Sequence, residues 1–382
     1  MRQALVNARV LTVQGWREDV AVVVEDGWIR ELAATGQVPA DAVRHDFSGR
    51  TLLPGFIDCQ VNGGGGVLFN DDPTVAGIRM IGAAHRGFGT CGFLPTLISD
   101  NADKMRAAIQ AVDAAIGAGV PGVLGIHLEG PFISHERKGV HAARFLHTPD
   151  AGELRLTASL QHGVTLLTLA PECVAPRAIR GLIEAGVIVA AGHSNADFVR
   201  VRAALDAGVR GFTHLFNAMS ALGSREPGMV GAALDDSDSW CGVIVDGHHV
   251  DPASLRIALK AKPKGKVFLV TDAMPPVGAI NPSFTLNGET ITARDGICRT
   301  ATGTLAGSAL SMIGAIRNSV QMLGVPLDEA VRMASTYPAD FLGLGATRGR
   351  IHTGCRADFT VIDASLNVTE TWIGGASVPC SG

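Results

Sequence analysis

The chain has 382 residues, 47% of them apolar and 18% charged, with a formal net charge of −4. That length exceeds one ordinary core and suits a large barrel with a small companion domain. The near-neutral charge excludes the basic footprint of a nucleic-acid or anionic-membrane binder, and no window reaches the ~20 apolar residues of a membrane span.

The first stretch, MRQALVNARVLTVQG, alternates like a strand and lacks the continuous apolar run of a signal peptide. Residues 2–50 read as short strands and turns, with ALVNARVLTV and VAVVVEDGWIREL as examples. From residue 55 one theme recurs. A short apolar run ends in a polar residue, then a loop and an amphipathic helical segment follow. The runs are GFIDCQVN (55–62), GFLPTLIS (92–99), GVLGIHLE (122–129), VTLLTLAPE (164–172), VIVAAGHS (187–194), GFTHLFNA (211–218), CGVIVDGHH (241–249) and KVFLVTDA (266–273). Strands apolar on both faces and alternating with helices predict a parallel sheet covered on its outer side. Eight such units predict a closed (β/α)8 barrel of the TIM type.

FTLNGETITARDGICRTATG (284–303) reads as a β-hairpin insertion after the eighth run, and a helical block follows it. Residues 350–374 return to the style of the start. The predicted division is a β-sandwich built from residues 1–52 and 346–382 around a barrel of residues 53–345. The rival is an open, doubly wound sheet. It would want a G-x-G-x-x-G turn after its first strand, and GGGG at 63–66 lacks that spacing. The cysteines, Cys59, Cys91, Cys173, Cys241, Cys298, Cys355 and Cys380, are odd in number and form no C-x-x-C pair. They fit reduced thiols in a cytoplasm better than a disulfide frame.

A barrel keeps its chemistry at the C-terminal ends of its strands. Those ends carry Gln60 and Asn62, then Glu129, His193, His214, His248 and His249, and Asp272. One carboxylate and two imidazoles, Glu129, His193 and His214, come from three strands. With a fourth position left to water they fit a catalytic zinc set; the alternative is that each is a buried hydrogen-bonding group. A metal lowers the pKa of its bound water from 15.7 to about 7. Asp272 in LVTDAMPP can take that proton and return it to a leaving amine; the alternative is a capping Asp. His141 in RKGVHAARF can donate to a developing oxyanion or sit solvated in its loop. His127 shares a strand face with Glu129 and reads as a structural or supporting group. Arg225 in GSREPG suits an anionic substrate group; otherwise it is a surface Arg.

In order along the chain, PGFIDCQVNG, HLEGPF, KGVHAA, LAPE, AGHSNA, THLFNAM, REPG, DGHHVD, LVTDA and GTLAGS resemble the N-acetylglucosamine-6-phosphate deacetylase family of metal-dependent amidohydrolases. The match covers nearly the whole chain. The resemblance implies a (β/α)8 barrel with a β-sandwich, usually in a homodimer. It implies hydrolysis of the acetamide of N-acetyl-D-glucosamine 6-phosphate to D-glucosamine 6-phosphate and acetate. It also implies a metal at Glu129, His193 and His214, Asp272 as acid and base, and His141 polarising the acetyl carbonyl. His249 would meet the sugar phosphate beside the backbone of Asn217 and Ala218, with Ala142 also at the substrate. Arg225 would reach the phosphate in the neighbouring subunit's site.

Many barrel amidohydrolases carry His-x-His after the first strand's Asp. Here Gln60 and Asn62 hold those places, as in one branch of the resembled family. A neutral amide is a poor zinc ligand. The expectation is therefore one divalent ion per subunit, zinc, with Gln60 and Asn62 lining the site. Strand alternation predicts that only one of His248 and His249 points inward. The alternative functions are deacetylation of the galactosamine epimer, another N-acyl amidohydrolase, and a non-catalytic assembly module.

Overall fold

The computed structural model describes residues 2–379, so Cys380 lies outside the described residues. Eight parallel strands follow one another in chain order in a single sheet. They are Phe56–Val61, Thr90–Ile98, Gly125–Glu129, Val164–Leu169, Ile188–Ala191, Gly211–Phe212, Trp240–Val243 and Val267–Leu269. We call them barrel strands 1 to 8. Each predicted run supplies one strand, and the fold is a (β/α)8 barrel. Most strands stop short of the end of their run, because the polar residues there leave the ladder to line a cleft. The runs 211–218 and 241–249 show this most clearly: their strands end at Phe212 and Val243.

The ring closes between strands 8 and 1 without a regular ladder. The Asp272 N–H donates to the Gln60 carbonyl at 3.1 Å, and the N–H groups of Asn62 and Gly63 both donate to the Ala273 carbonyl at 2.9 Å. Helix Ala102–Gly117 illustrates the outer layer. The Asn101 side chain accepts the Lys104 N–H at 2.9 Å, satisfying a free donor of the first turn. Met105, Ala108, Ile109, Val112 and Ala115 then bury one face at helical spacing. Among the later helices, Thr336–Phe341 brings Phe341 onto Phe268 of strand 8, stacked with ring centroids 4.9 Å apart.

The segment read as a hairpin is a four-stranded antiparallel meander, Ser283–Leu286, Glu289–Arg294, Ile297–Arg299 and Leu305–Ser308. Its last strand, LAGS, carries a glycine and small side chains and so has no strand signature in sequence. It nevertheless ties the insertion to the barrel, since the Ser308 N–H donates to the Asp272 carbonyl at 2.9 Å.

Two further sheets come from both ends of the chain. One has four strands, Arg2–Val6, Val20–Glu25, Trp28–Ala34 and Val43–Asp46. The other has six, Arg9–Thr12, Gly15–Arg17, Thr51–Pro54, Phe359–Ile362, Val368–Ile373 and Ala376–Pro379. Leu5, Val22 and Ile29 of the first sheet share a core with Val10, Leu52, Phe359 and Trp372 of the second, which makes the pair a β-sandwich. Among the described residues, no helix is long and apolar enough to cross a membrane.

Candidate active site

Glu129 is the last residue of strand 3, while His193, His214 and Asp272 lie just beyond strands 5, 6 and 8. All four converge on one cleft of about 330 Å³. His214 Nε2 lies 3.0 Å and His193 Nε2 3.2 Å from the same Glu129 oxygen, and the two Nε2 atoms are 3.0 Å apart. His193 Nδ1 lies 2.8 Å from the Arg137 carbonyl. A carbonyl can only accept, so the proton sits on Nδ1 and the Nε2 lone pair faces the centre. That lone pair, the His214 ring and a carboxylate gathered this closely in a buried place suit a cation. The three residues fit a metal ion, with all their ligand atoms within 4.8 Å of one another.

Gln60 and Asn62 act as donors. Asn62 Nδ2 donates to Asp272 Oδ1 at 2.6 Å. Gln60 Nε2 lies 3.1 Å from the same oxygen and 3.0 Å from Glu129 Oε1, so it bridges the two carboxylates. Both amide nitrogens are spent on orienting carboxylates. Burial, then the negative charge of Glu129, pushes the Asp272 carboxyl up to about 6.

His141 is held by Ser99. Its Nδ1 accepts the Ser99 backbone N–H at 3.3 Å and lies 2.7 Å from the Ser99 hydroxyl. The ring proton therefore sits on Nε2. Burial, then the nearby His193, pushes the His141 pKa down to about 3, so the ring is a neutral donor in the cleft wall. His249 also lines the cleft, and its Nδ1 is 2.6 Å from Asp246 Oδ2. His248 is exposed. One of the pair points inward as expected, but alternation is not the reason, since both lie in the loop beyond strand 7. His127 lies in the barrel interior, 2.7 Å from the Thr168 hydroxyl.

Asn217 and Ala218 line the same cleft. Ala142 instead lines an adjoining cavity of about 320 Å³ that shares His141 with it. Arg225 is absent from the cleft wall and sits in the exposed stretch 221–226. The sequence reading missed several wall residues, among them Arg137, Met274, Thr304, Leu305 and Gly307. Three of these come from the end of the meander, where the insertion reaches the barrel mouth.

Backbone strain marks the same place. His193, His214, Phe216, Ala218 and Asp272 have φ of +49°, +35°, +80°, +52° and +53°. Such left-handed non-glycine residues cost of order 1–3 kcal/mol each. Here they turn the chain sharply where the cleft-lining side chains leave the strands.

A (β/α)8 barrel with this carboxylate–imidazole cluster at its strand ends defines the class of barrel hydrolases that can use a bound metal. The amidohydrolase family model matches residues 51–378, and the chain belongs to the amidohydrolase family as a hydrolase acting on an amide. The N-acetylgalactosamine-6-phosphate deacetylase of Shewanella sp. (strain ANA-3) is 43% identical over 373 residues, spanning 97% of this chain and 94% of the relative. The N-acetylglucosamine-6-phosphate deacetylase of Homo sapiens is 38% identical over 402 residues, spanning 98% of this chain and 97% of the relative. The crystal structure of N-acetylglucosamine-6-phosphate deacetylase from Pasteurella multocida matches with a TM-score of 0.96 at 36% identity, over 99% of this chain and 100% of that one.

Proposed function

We propose that the protein hydrolyses the acetamide of N-acetyl-D-glucosamine 6-phosphate to D-glucosamine 6-phosphate and acetate, as a step of amino-sugar catabolism. The observation that carries this reading is the Asp272 carboxylate, fixed by Asn62 at 2.6 Å, sharing a cleft with Glu129, His193 and His214. Those three residues would hold one divalent ion, zinc. When bound, the ion supplies Lewis acidity to the amide carbonyl and acidity to water.

The chain's own groups do the rest. Asp272 takes the proton of the attacking water and delivers it to the leaving nitrogen. The His141 Nε2–H donates to the carbonyl oxygen as negative charge develops there. Gln60 and Asn62 keep the Asp272 carboxylate aimed across the cleft. His249 meets the phosphate, with Asn217, Ala218 and Ala142 along the sugar. In a homodimer Arg225 reaches the phosphate bound by the partner subunit, a role its exposed loop supports. The free thiols of Cys59, Cys91, Cys173, Cys241, Cys298 and Cys355 support a reducing, cytoplasmic setting.

A second reading is deacetylation of the galactosamine epimer, favoured by the 43% identity to the Shewanella enzyme of that name. Acetate release from both epimers, with metal measured in the same sample, tests the two. We expect one tightly held ion per chain and the higher kcat/KM on the gluco epimer. The reverse preference selects the second reading, and release from neither by metal-loaded protein overturns both.

A further inference from the structure

Asp58, the acid of the PGFIDC run, takes no part in the chemistry above, yet it is wholly buried on strand 1. Its partners are neutral. Oδ2 accepts the Thr271 hydroxyl at 2.5 Å, and Oδ1 accepts the backbone N–H of Thr271 at 3.3 Å and of Gln60 at 3.2 Å. Burial pushes its carboxyl up to about 7. A buried carboxylate among neutral donors is costly to keep, and packing alone does not call for one.

What it does is brace the turn that carries Asp272. The Thr271 hydroxyl oxygen accepts the Ala273 N–H at 3.2 Å. The Thr271 carbonyl accepts the Ser308 hydroxyl at 2.6 Å. Asp272, between these anchors, has φ +53°. Its own N–H reaches the Gln60 carbonyl at 3.1 Å and its carbonyl accepts the Ser308 N–H at 2.9 Å. A left-handed non-glycine backbone persists only where its surroundings over-determine it. Strand 1 and the residue just beyond it therefore grip Asp272 twice: Gln60 and Asn62 hold the carboxylate, and Asp58 holds the backbone turn beneath it.

We propose that Asp58 is a positioning residue, which through Thr271 keeps the Asp272 carboxylate in the geometry that proton transfer requires. The proposal rests on the reading of Asp272 as acid and base. The test uses metal-loaded enzyme carrying Asp58→Asn, Thr271→Val, Thr271→Ser or Asp272→Asn. Misplacing a catalytic group by about 1 Å costs up to roughly 100-fold. Asp58→Asn and Thr271→Val should each lower kcat by about 10- to 100-fold, with KM and metal content unchanged. Thr271→Ser keeps the hydroxyl and should keep the wild-type kcat. If Asp58→Asn fails to fold, the Val and Ser pair at Thr271 carries the test alone.

The double variant Asp58→Asn/Asp272→Asn should be no slower than Asp272→Asn, because no carboxylate is left to position. Additive losses would mean a general structural role and overturn the proposal. A wild-type kcat in Thr271→Val beside an inactive Asp272→Asn would also overturn it, while leaving Asp272's role standing. A near-normal kcat in Asp272→Asn would instead remove the reading on which the proposal depends.

Discussion

His85 shows how one buried ring records its protonation in its contacts. It is fully buried on helix Val75–Arg86, and its Nε2–H donates to the Gly63 carbonyl at 2.9 Å. Nδ1 is buried without a partner. Charging the ring would add a second proton where no acceptor exists, and burial pulls the His85 pKa down from 6.5 to about 4. A base with a lowered folded pKa binds fewer protons folded than unfolded across that window. Its contribution is present above pH 6.5 and is lost as the pH falls towards 4. The shift is worth about 3 kcal/mol. His85→Gln can keep the donor to Gly63 but cannot titrate. We expect urea unfolding of the wild type to lose about 3 kcal/mol more than this variant between those limits; parallel losses would assign the acid sensitivity to other groups. At this scale the sequence was legible where side chains gather in the cleft. Glu129, His193, His214 and Asp272 stood out because each polar group ends an apolar run. Arg137 did not, since it fixes His193 through a backbone carbonyl, which every residue has. Ser99 did not either, because a hydroxyl at a strand end is commonplace until a histidine is seen on it.

Among the elements, the barrel strands were readable because each is apolar on both faces. The connecting loops were not, because hydrogen bonds set their shape rather than periodicity. The loop that carries Arg225 is an instance. The Glu226 carboxylate accepts the N–H groups of Phe198 at 2.8 Å and Gly228 at 2.9 Å, and its carbonyl accepts the Gly223 N–H at 2.9 Å. The base is braced, so Leu222, 57% exposed, and Arg225 project from a fixed platform. A guanidinium offered this way suits phosphate. Arg225→Ala should raise KM for the sugar phosphate far more than for the unphosphorylated sugar. Equal losses on the two substrates would remove Arg225 from the phosphate site. Mixing Arg225→Ala and Asp272→Asn chains should restore activity, because one hybrid site then pairs an intact Asp272 with the partner's intact Arg225. No recovery in demonstrated heterodimers would return the Arg to its own subunit.

At the scale of the whole molecule, the sandwich and the barrel divide stability from chemistry. Trp372 is 1% exposed in the core that both chain ends build, edge-on to Phe47 with ring centroids 6.2 Å apart. The sandwich meets the barrel at the bases of its first strands. The Gly55 N–H donates to the Asp358 carbonyl at 2.9 Å just before strand 1, and the Cys91 thiol lies 3.3 Å from the Trp372 carbonyl at the start of strand 2. Glu129, His193, His214 and Asp272 lie at the other end of the barrel, about 17 Å further along a strand the length of strand 1. Truncating a buried Trp costs about 3–5 kcal/mol, because the lost contacts leave a cavity that close-packed neighbours cannot fill. Trp372→Ala should therefore lower the unfolding free energy extrapolated from urea titration by that much. In protein that is still folded and metal-loaded, kcat on the sugar phosphate should remain at the wild-type value, because Trp372 packs in the sandwich core and does not line the cleft. A variant that is fully folded by near-UV circular dichroism yet slow would show that the sandwich shapes the cleft as well as stabilising the chain.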